Sequence, residues 1–531
     1  MKKIFYAALL LLTPMAFQSC DNLDLAPQDY YGAGNFWQNE AQVNLFSIGL
    51  HNNLREALVS QNMEYGELRG ATTTLGMTIE GTQTRYGSYV QNQISEDTPL
   101  KSDWGGFYGK LLQVNHMIEN LENGCDFLSA SKKDYYKGVA YGLRAYYYFW
   151  LYRSYGGVPL ELTVKVDKGT VSAPDLYMER ATAEQTLKQI KEDVETSVKS
   201  FEASSDKGSS KYFWNFGASL MLKADVYLWS AKATVPDAKE PHTATMSQAD
   251  LNEAMNALTK LDGLGYGLVD DFASLYTNKG KKNNETILAL YGDKDEYTNK
   301  DYFRRFFYHN NFNGNKVFDE EGNELGNDPL ELYGEGLHYE QIRESLVKSY
   351  DKTDSRRAGT FLEAYNESGV FACYLKKFFG QNSNGTHYFD PDVILYRYAE
   401  AVLMKAEIAN AMNNDPSPYI NQIRQRAYGD NYSSEVAYTN GTFAENELAI
   451  LKERDKEFVG EGKRWFDLLR LQDANHQPLV FSKDAAYEDQ GQLVPVLDKS
   501  TESYKVLWPI NVSLMNNDPL LEQTVGYPTK K

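Results

Sequence analysis

The residues able to do chemistry in this chain are mostly carboxylates: 73 Asp and Glu against 54 Lys and Arg in 531 residues, a net charge of −19. Two carboxylates held across a cleft, one of them with a raised pKa, are what glycosidic bond hydrolysis needs. With so many acids, candidate pairs occur throughout and none is set apart. HExxH, GxSxG and P-loop patterns are absent, and the seven His are scattered without metal-ligand spacing. Gly263-Leu264-Gly265-Tyr266-Gly267 follows a helical stretch instead of opening one, so it reads as a loop and not a phosphate cradle. Loop acids and amides such as Asp319 leave a structural calcium ion open, but no ordered EF-hand spacing supports one. No cofactor and no catalysis are expected.

Binding is better provided for. Tyr (39), Phe (25) and Trp (7) make up 13% of the chain. An apolar ring with a polar tip suits both packing between helices and stacking against sugar rings. Two stretches lack helical period, 65–103 and 263–388, and loops of that length are usually functional. The first carries Arg69, Arg85, Tyr86 and Tyr89, with Gln83, Gln91 and Asn92 nearby. The second carries Tyr291, Tyr302, Phe306, Phe307, Tyr308 and Phe312, with Arg304, Arg305 and Asn310. Rings flanked by amides and guanidinium groups are the equipment of a carbohydrate platform. The residues singled out for ligand contact are Arg69, Arg85, Tyr86, Tyr89, Tyr291, Tyr302, Phe307 and Tyr308, each weighed against packing inside its own loop.

One covalent modification is expected. Lys2 and Lys3 precede the apolar run Ile4 to Leu12, too short to span a bilayer, and the segment ends at Ser19-Cys20. This reads as a lipoprotein signal peptide over residues 1–19 with Cys20 as the lipidated residue, although Phe17 and Gln18 depart from the usual lipobox. Cys125 and Cys373 are far apart and without CxxC or neighbouring His, so they read as two buried thiols and not a disulfide or zinc site. The acidic balance, with no segregated basic patch, excludes a nucleic-acid partner.

Such loops need a rigid scaffold, and the pattern supplies one from amphipathic helices. Thr182 and Gln185 form a capping box ahead of Leu187, Ile190, Val194 and Val198. Leu143 to Leu151 is apolar or aromatic all round, which predicts an enclosed central helix stopping at Gly156-Gly157. Asp390-Pro391 reads as the cap and first turn of a helix carrying Leu395, Tyr398, Ala399, Val402 and Ala406 on one stripe. Further helices are predicted over 45–58, 104–121, 216–232, 251–261 and 418–427, and a buried strand over 285–291. The fold class expected is mainly α: an α-solenoid of tetratricopeptide-like helix pairs with a long loop-rich, partly β insertion, although no strict repeat of about 34 residues is visible.

Longer motifs then add up. Glu453-Arg454, Glu457-Phe458, Glu461-Gly462 and Arg464 to Arg470 fit ERxxEFxxEGxRWxDLxR. Arg397 to Glu407 is similar to RYAExLLxxAEA, Trp104 to Asn115 to WxxLYxxIxxxN, and Leu143 to Leu160 to LRAxxYFxLxxxYGxVPL. On these motifs the chain resembles the SusD/RagB family along nearly all of its mature length. Departures fall at Val139 and, near the C-terminus, at Asn511, Leu514, Asp518, Thr524 and Val525.

The resemblance implies one SusD-like domain over 20–531, with a helical scaffold at approximately 41–262 and 390–531 and a loop-rich ligand side at approximately 263–389. It also implies a lipid-anchored protein at the surface of the outer membrane that captures oligo- or polysaccharide for a SusC-like TonB-dependent transporter. Two other readings stay open: the same fold capturing peptides, as in RagB-type relatives, and a secreted glycoside hydrolase. The charged residues of the motifs, Arg397, Glu400, Glu453, Arg454, Glu461 and Arg464, are expected to be paired and partly buried inside the scaffold, because an unpaired buried charge is costly.

Overall fold

The computed structural model describes residues 36–78, 81–83, 86–95, 100, 104–165, 171–298, 303–304, 316–334 and 340–528. Ten main helices form the scaffold: α1 (Glu40–Gly66), α2 (Gly105–Asn123), α3 (Ala130–Tyr155), α4 (Ala183–Ala203), α5 (Phe216–Lys232), α6 (Gln248–Asp262), α7 (Tyr398–Ala411), α8 (Ser417–Tyr428), α9 (Phe443–Phe458) and α10 (Arg464–Arg470). Neighbours in sequence pack as neighbours in space, α2 on α1 and α3, α3 on α4, α5 on α6, and α7 on α8 and α9. The protein is mainly α and tetratricopeptide-like. No described helix is long and apolar enough to cross a membrane.

Local sequence explains the boundaries. Thr182 caps α4 and Gln185 returns the bond, closing the capping box at 3.0–3.1 Å. Asn215 and Ser129 cap α5 and α3 by accepting from the N–H groups of Ala218 and Lys132, without a return bond. Helix α3 is the axle of the scaffold, buried from Leu143 to Tyr155. Its rings interlock edge-on with Trp229 of α5 (Phe149, 6.1 Å) and Phe466 of α10 (Trp150, 5.3 Å). Arg144 adds a fork to Asp193 of α4 at 2.7–2.8 Å. Cys125 and Cys373 are free and buried.

The irregular stretches and their borders carry short strands: β1 (Thr73–Thr78), β2 (Gly81–Gln83), β3 (Thr286–Leu290), β4 (Val317–Phe318), β5 (Glu324–Gly326), β6 (Glu340–Ile342), β7 (Phe361–Tyr365), β8 (Phe371–Leu375), β9 (Gln381–Ser383), β10 (Thr386–Tyr388) and β11 (Val393–Arg397). They pair antiparallel as β2-β1-β6, β5-β4-β7-β8, β9-β10 and β3-β11. The last pair corrects one expectation. Asp390-Pro391 does not open a helix, because Val393 to Arg397 form a strand paired with β3 and helix α7 begins only at Tyr398. Every residue of β3 and β11 is buried, and β-branched Val393 and Ile394 suit a strand enclosed on both faces.

Beneath the insertion lies an ionic lattice that joins it to the scaffold. Arg397 reaches Glu285 (2.7 Å), Glu457 (2.6 Å) and Glu461 (2.9 Å), while Arg356 reaches Asp354, Glu453 and Glu457 at 2.7–3.1 Å. Arg424 meets Glu453, Arg426 meets Glu457, and Lys377 meets Glu461. A second group pairs Arg454 with Asp467 and Glu400, and Arg464 with Asp455. The motif charges expected to pair do so. Burial works to raise the Glu461 carboxyl, but Arg397 and Lys377 outweigh it and hold the group down at about 2.

At the foot of this lattice, Gly66 at the end of α1 meets Gly462. Gly462 has φ +73°, and a Cβ on either glycine would run into the backbone of the facing segment, at Gly462 O and Asn62 O respectively. Asn62 Nδ2 donates to Glu461 O at 2.8 Å across the same junction. The ERxxEF segment is thereby locked to the end of α1.

Candidate functional site

Helix α1 is the rail on which both irregular stretches are mounted. The Arg55 guanidinium lies over the Tyr297 ring at 4.2 Å, and Glu64 Oε1 accepts from Tyr86 Oη at 2.8 Å. Nine residues of helix separate these anchors by about 14 Å. Both irregular stretches are therefore anchored on the C-terminal half of α1.

The first stretch uses its polar residues to hold itself in place. Arg69 is fully buried between two indoles, 3.8 Å from Trp465 and 4.6 Å from Trp508. Its Nε donates to Asn92 Oδ1 (2.8 Å) and its Nη2 to Lys505 O (2.5 Å), and burial pushes the guanidinium down to about 9. Tyr86 is pinned by Glu64 and, through its N–H, by Glu340 Oε1 at 2.8 Å. Tyr89 stands edge-on to Tyr86 (5.5 Å) and against Trp508 (5.6 Å), and burial pushes its hydroxyl up. Arg69, Tyr86 and Tyr89 are thus interior residues, which corrects the expectation that they face a ligand. The site residues Arg85, Tyr302, Phe307 and Tyr308, and the lipidation residue Cys20, lie outside the described residues.

Tyr291 is different, being only half-buried. It forms a T-shaped pair with Tyr212 at 5.0 Å, and Tyr212 Oη donates to Asp392 Oδ2 at 2.9 Å. Burial and Asp392 together push the Tyr212 hydroxyl up, so this hydroxyl stays a donor at neutral pH. Lys281 fixes the base of the pair by donating to Gly292 O (2.6 Å) and Asp390 O (3.0 Å). Sequence reading named Tyr291 and missed Tyr212, whose signal was the aromatic run Tyr212-Phe213-Trp214 in a loop between helices.

Beside β1 the surface opens into two contiguous clefts of about 360 and 490 Å³ that share Thr74, Leu75, Asp489 and Gln490. The ridge between them is a hydrogen bond from Thr74 Oγ1 to Asp489 Oδ2, 2.9 Å. Asp489 and Gln492 exchange backbone bonds at 2.9 Å around Gln490 and Gly491, both with positive φ, which makes a tight hairpin turn. Gln91, Asn92, Gln492 and Arg343 line the first cleft. Arg343 is held by Thr73 O (3.1 Å) and Tyr487 O (2.7 Å), and its Nη2 lies 3.6 Å from Asp489. Amides, a hydroxyl, a carboxylate and a guanidinium in an open cleft offer donors and acceptors in the mixture that polyhydroxyl ligands use. Among the described residues, no three His, Cys, Asp or Glu are arranged to hold a metal ion. Asp319 instead closes a turn by accepting from the Asn323 side chain (2.8 Å) and N–H (2.7 Å).

Comparison with known proteins bears on this arrangement as a whole. The SusD family profile matches residues 237–527, and a profile described as starch-binding associating with outer membrane matches residues 37–228. A SusD-like protein of Formosa agariphila is 22% identical over 99% of both chains. The starch-binding protein SusD of Bacteroides thetaiotaomicron is 32% identical over a shorter stretch, 26% of this chain and 22% of that one. Among solved structures, a SusD superfamily protein of Bacteroides fragilis has 34% identity and a TM-score of 0.83, covering 93% of this chain and all of its own. B. fragilis NanU has 30% identity and a TM-score of 0.79, covering 95% of this chain and all of its own. The helical scaffold, the ionic lattice under ERxxEFxxEGxRW and these matches over almost the whole chain agree, and the protein belongs to the SusD family.

Proposed function

We propose that this protein is a glycan-capturing lipoprotein of the outer membrane, anchored through Cys20, which binds oligo- or polysaccharide on its loop face without cleaving it and passes it to a SusC-like TonB-dependent transporter. The observation that carries the reading is the half-open Tyr212–Tyr291 pair with Asp392. An edge-on pair offers a sugar one ring face, while the neighbouring carboxylate accepts from its hydroxyls. The polar clefts around Thr74 and Asp489 offer a second hydrogen-bonding surface. Membership of a family with starch-binding members supports the ligand class.

The test is a binding screen of the purified mature protein against amylopectin, xylan, pectin and a casein digest, with product analysis of every hit. Saturable binding of a polysaccharide without cleavage, weakened by Tyr212→Ala and Tyr291→Ala, supports capture. Cleavage products overturn it in favour of an enzyme, and binding confined to the digest overturns the ligand class. Copurification with a large barrel after mild detergent extraction tests the transporter; recovery of the protein alone at native expression counts against it.

A further inference from the structure

Among the described residues only two aromatic side chains are exposed, Phe127 and Tyr333, and Tyr333 keeps 50% of its surface in solvent. It stands in a loop whose backbone is expensive to hold. Glu331 has φ +54° and Tyr333 φ +52°, and for a bulky non-glycine residue such values are rare and strained. Asp328 holds the conformation. Its Oδ1 accepts from the Leu332 N–H and its Oδ2 from the Tyr333 N–H, both at 2.8 Å, while its own carbonyl accepts from the Glu331 N–H at 3.0 Å. Leu332 between the two strained residues is buried. The alternation drives one side chain into the core and turns the next ring outward. Strain held by a dedicated carboxylate, with an exposed ring as its result, is the pattern of a binding site rather than of packing.

The ring also stands in a suitable place. Asn382 of the β9–β10 hairpin donates to Leu330 O at 3.4 Å, which ties the Tyr333 loop to one flank of the hairpin. At the hairpin base, Gln381 Nε2 donates to Asp390 Oδ2 at 2.5 Å, and Lys281 links Asp390 O to Gly292 O beside Tyr291. The Tyr333 loop and the segment that carries Tyr291 are thus both tied to strand β9 of one small hairpin. We infer that Tyr333 is a further sugar-stacking residue of the glycan face, displayed by Asp328 as its positioning residue, and that the β9–β10 hairpin separates two aromatic subsites of one extended saccharide. This rests on the glycan-capture reading above.

The test uses native affinity electrophoresis of the full mature chain in gels containing amylopectin, xylan or pectin. Tyr333→Ala is expected to weaken binding roughly three- to tenfold, the worth of one aromatic contact, whereas Tyr333→Phe retains it. Asp328→Ala is expected to match Tyr333→Ala, and the double variant to be no weaker than either single one, a non-additivity that a merely structural role of Asp328 does not produce. Glu331→Gly removes strain without removing the ring and leaves retardation unchanged. Wild-type binding with an unaltered Tyr333→Ala overturns this inference alone. A wild type that no polysaccharide retards overturns the glycan reading and this inference with it.

Discussion

Glu67 gives the sharpest test of the physics at the junction between α1 and the loop face. It is completely buried at the C-terminal end of α1, where Thr72 Oγ1 donates to its Oε1 at 2.8 Å. Burial raises its pKa, and the nearby Asp455 raises it further. Thr72, the Gly460 N–H and Arg464 oppose this, and the balance leaves the carboxyl at about 7 against an ordinary 4.5. Arg464 contributes little because Asp455 already holds it at 2.6 Å. In this window the folded state binds the proton and the unfolded state does not. Stability is therefore highest below the unfolded value and falls as pH rises toward about 7, by about 3 kcal/mol in total, of which about 2–3 kcal/mol lies between pH of about 5 and 8. Glu67→Gln keeps the shape and cannot ionise. Urea unfolding of both proteins at those two pH values should show the variant gaining about 2–3 kcal/mol on the wild type as pH rises, all other titrations cancelling in the difference. A gap that does not change with pH refutes the argument.

Other expectations follow from the same structure. His51 is held neutral at about 4 by burial; its Nε2 accepts from the Trp214 N–H and its Nδ1 donates to Ser47 O, both at 2.7 Å. Its folded pKa is depressed, so its contribution is lost as pH falls from about 6.5 toward 4, and His51→Phe should cost about 1–3 kcal/mol in urea melts at neutral pH by orphaning the Trp214 N–H. Arg397→Met leaves Glu285, Glu457 and Glu461 short of a partner and should cost about 3–5 kcal/mol by the same assay. Gly462→Ala meets both a positive φ and the Asn62 backbone, and calorimetry should show a loss of more than about 1 kcal/mol.

The scaffold was legible because its signals are local. The Thr182–Gln185 box, the all-round apolar run of α3 and the buried strand β3 each declare themselves within one element. Asp390-Pro391 misled because a cap-and-proline pair also precedes strands, and an apolar run buried on all sides carries no period to separate helix from strand. The loop face was harder. Aromatic and charged residues in an irregular stretch say nothing of which way they point, and Arg69, Tyr86 and Tyr89 point inward. The clefts could not be read at all, since Thr74, Arg343 and Asp489 meet only after some four hundred residues have folded between the first and the last of them.

The ionic lattice has a kinetic consequence. Its members come from residues 285, 354, 356, 377, 397, 424, 426, 453, 457 and 461, and its longest pair, Arg426 with Glu285, closes a loop of 141 residues, whereas the helix hairpins beside it need only short ones. Local hairpins form early on the route to the native state, and contacts that must wait for long loops to close form late. Interactions absent from the transition state slow unfolding without speeding folding. A chain secured in this way reaches its native state no faster, but once there it resists proteolytic attack by the slowness of its opening.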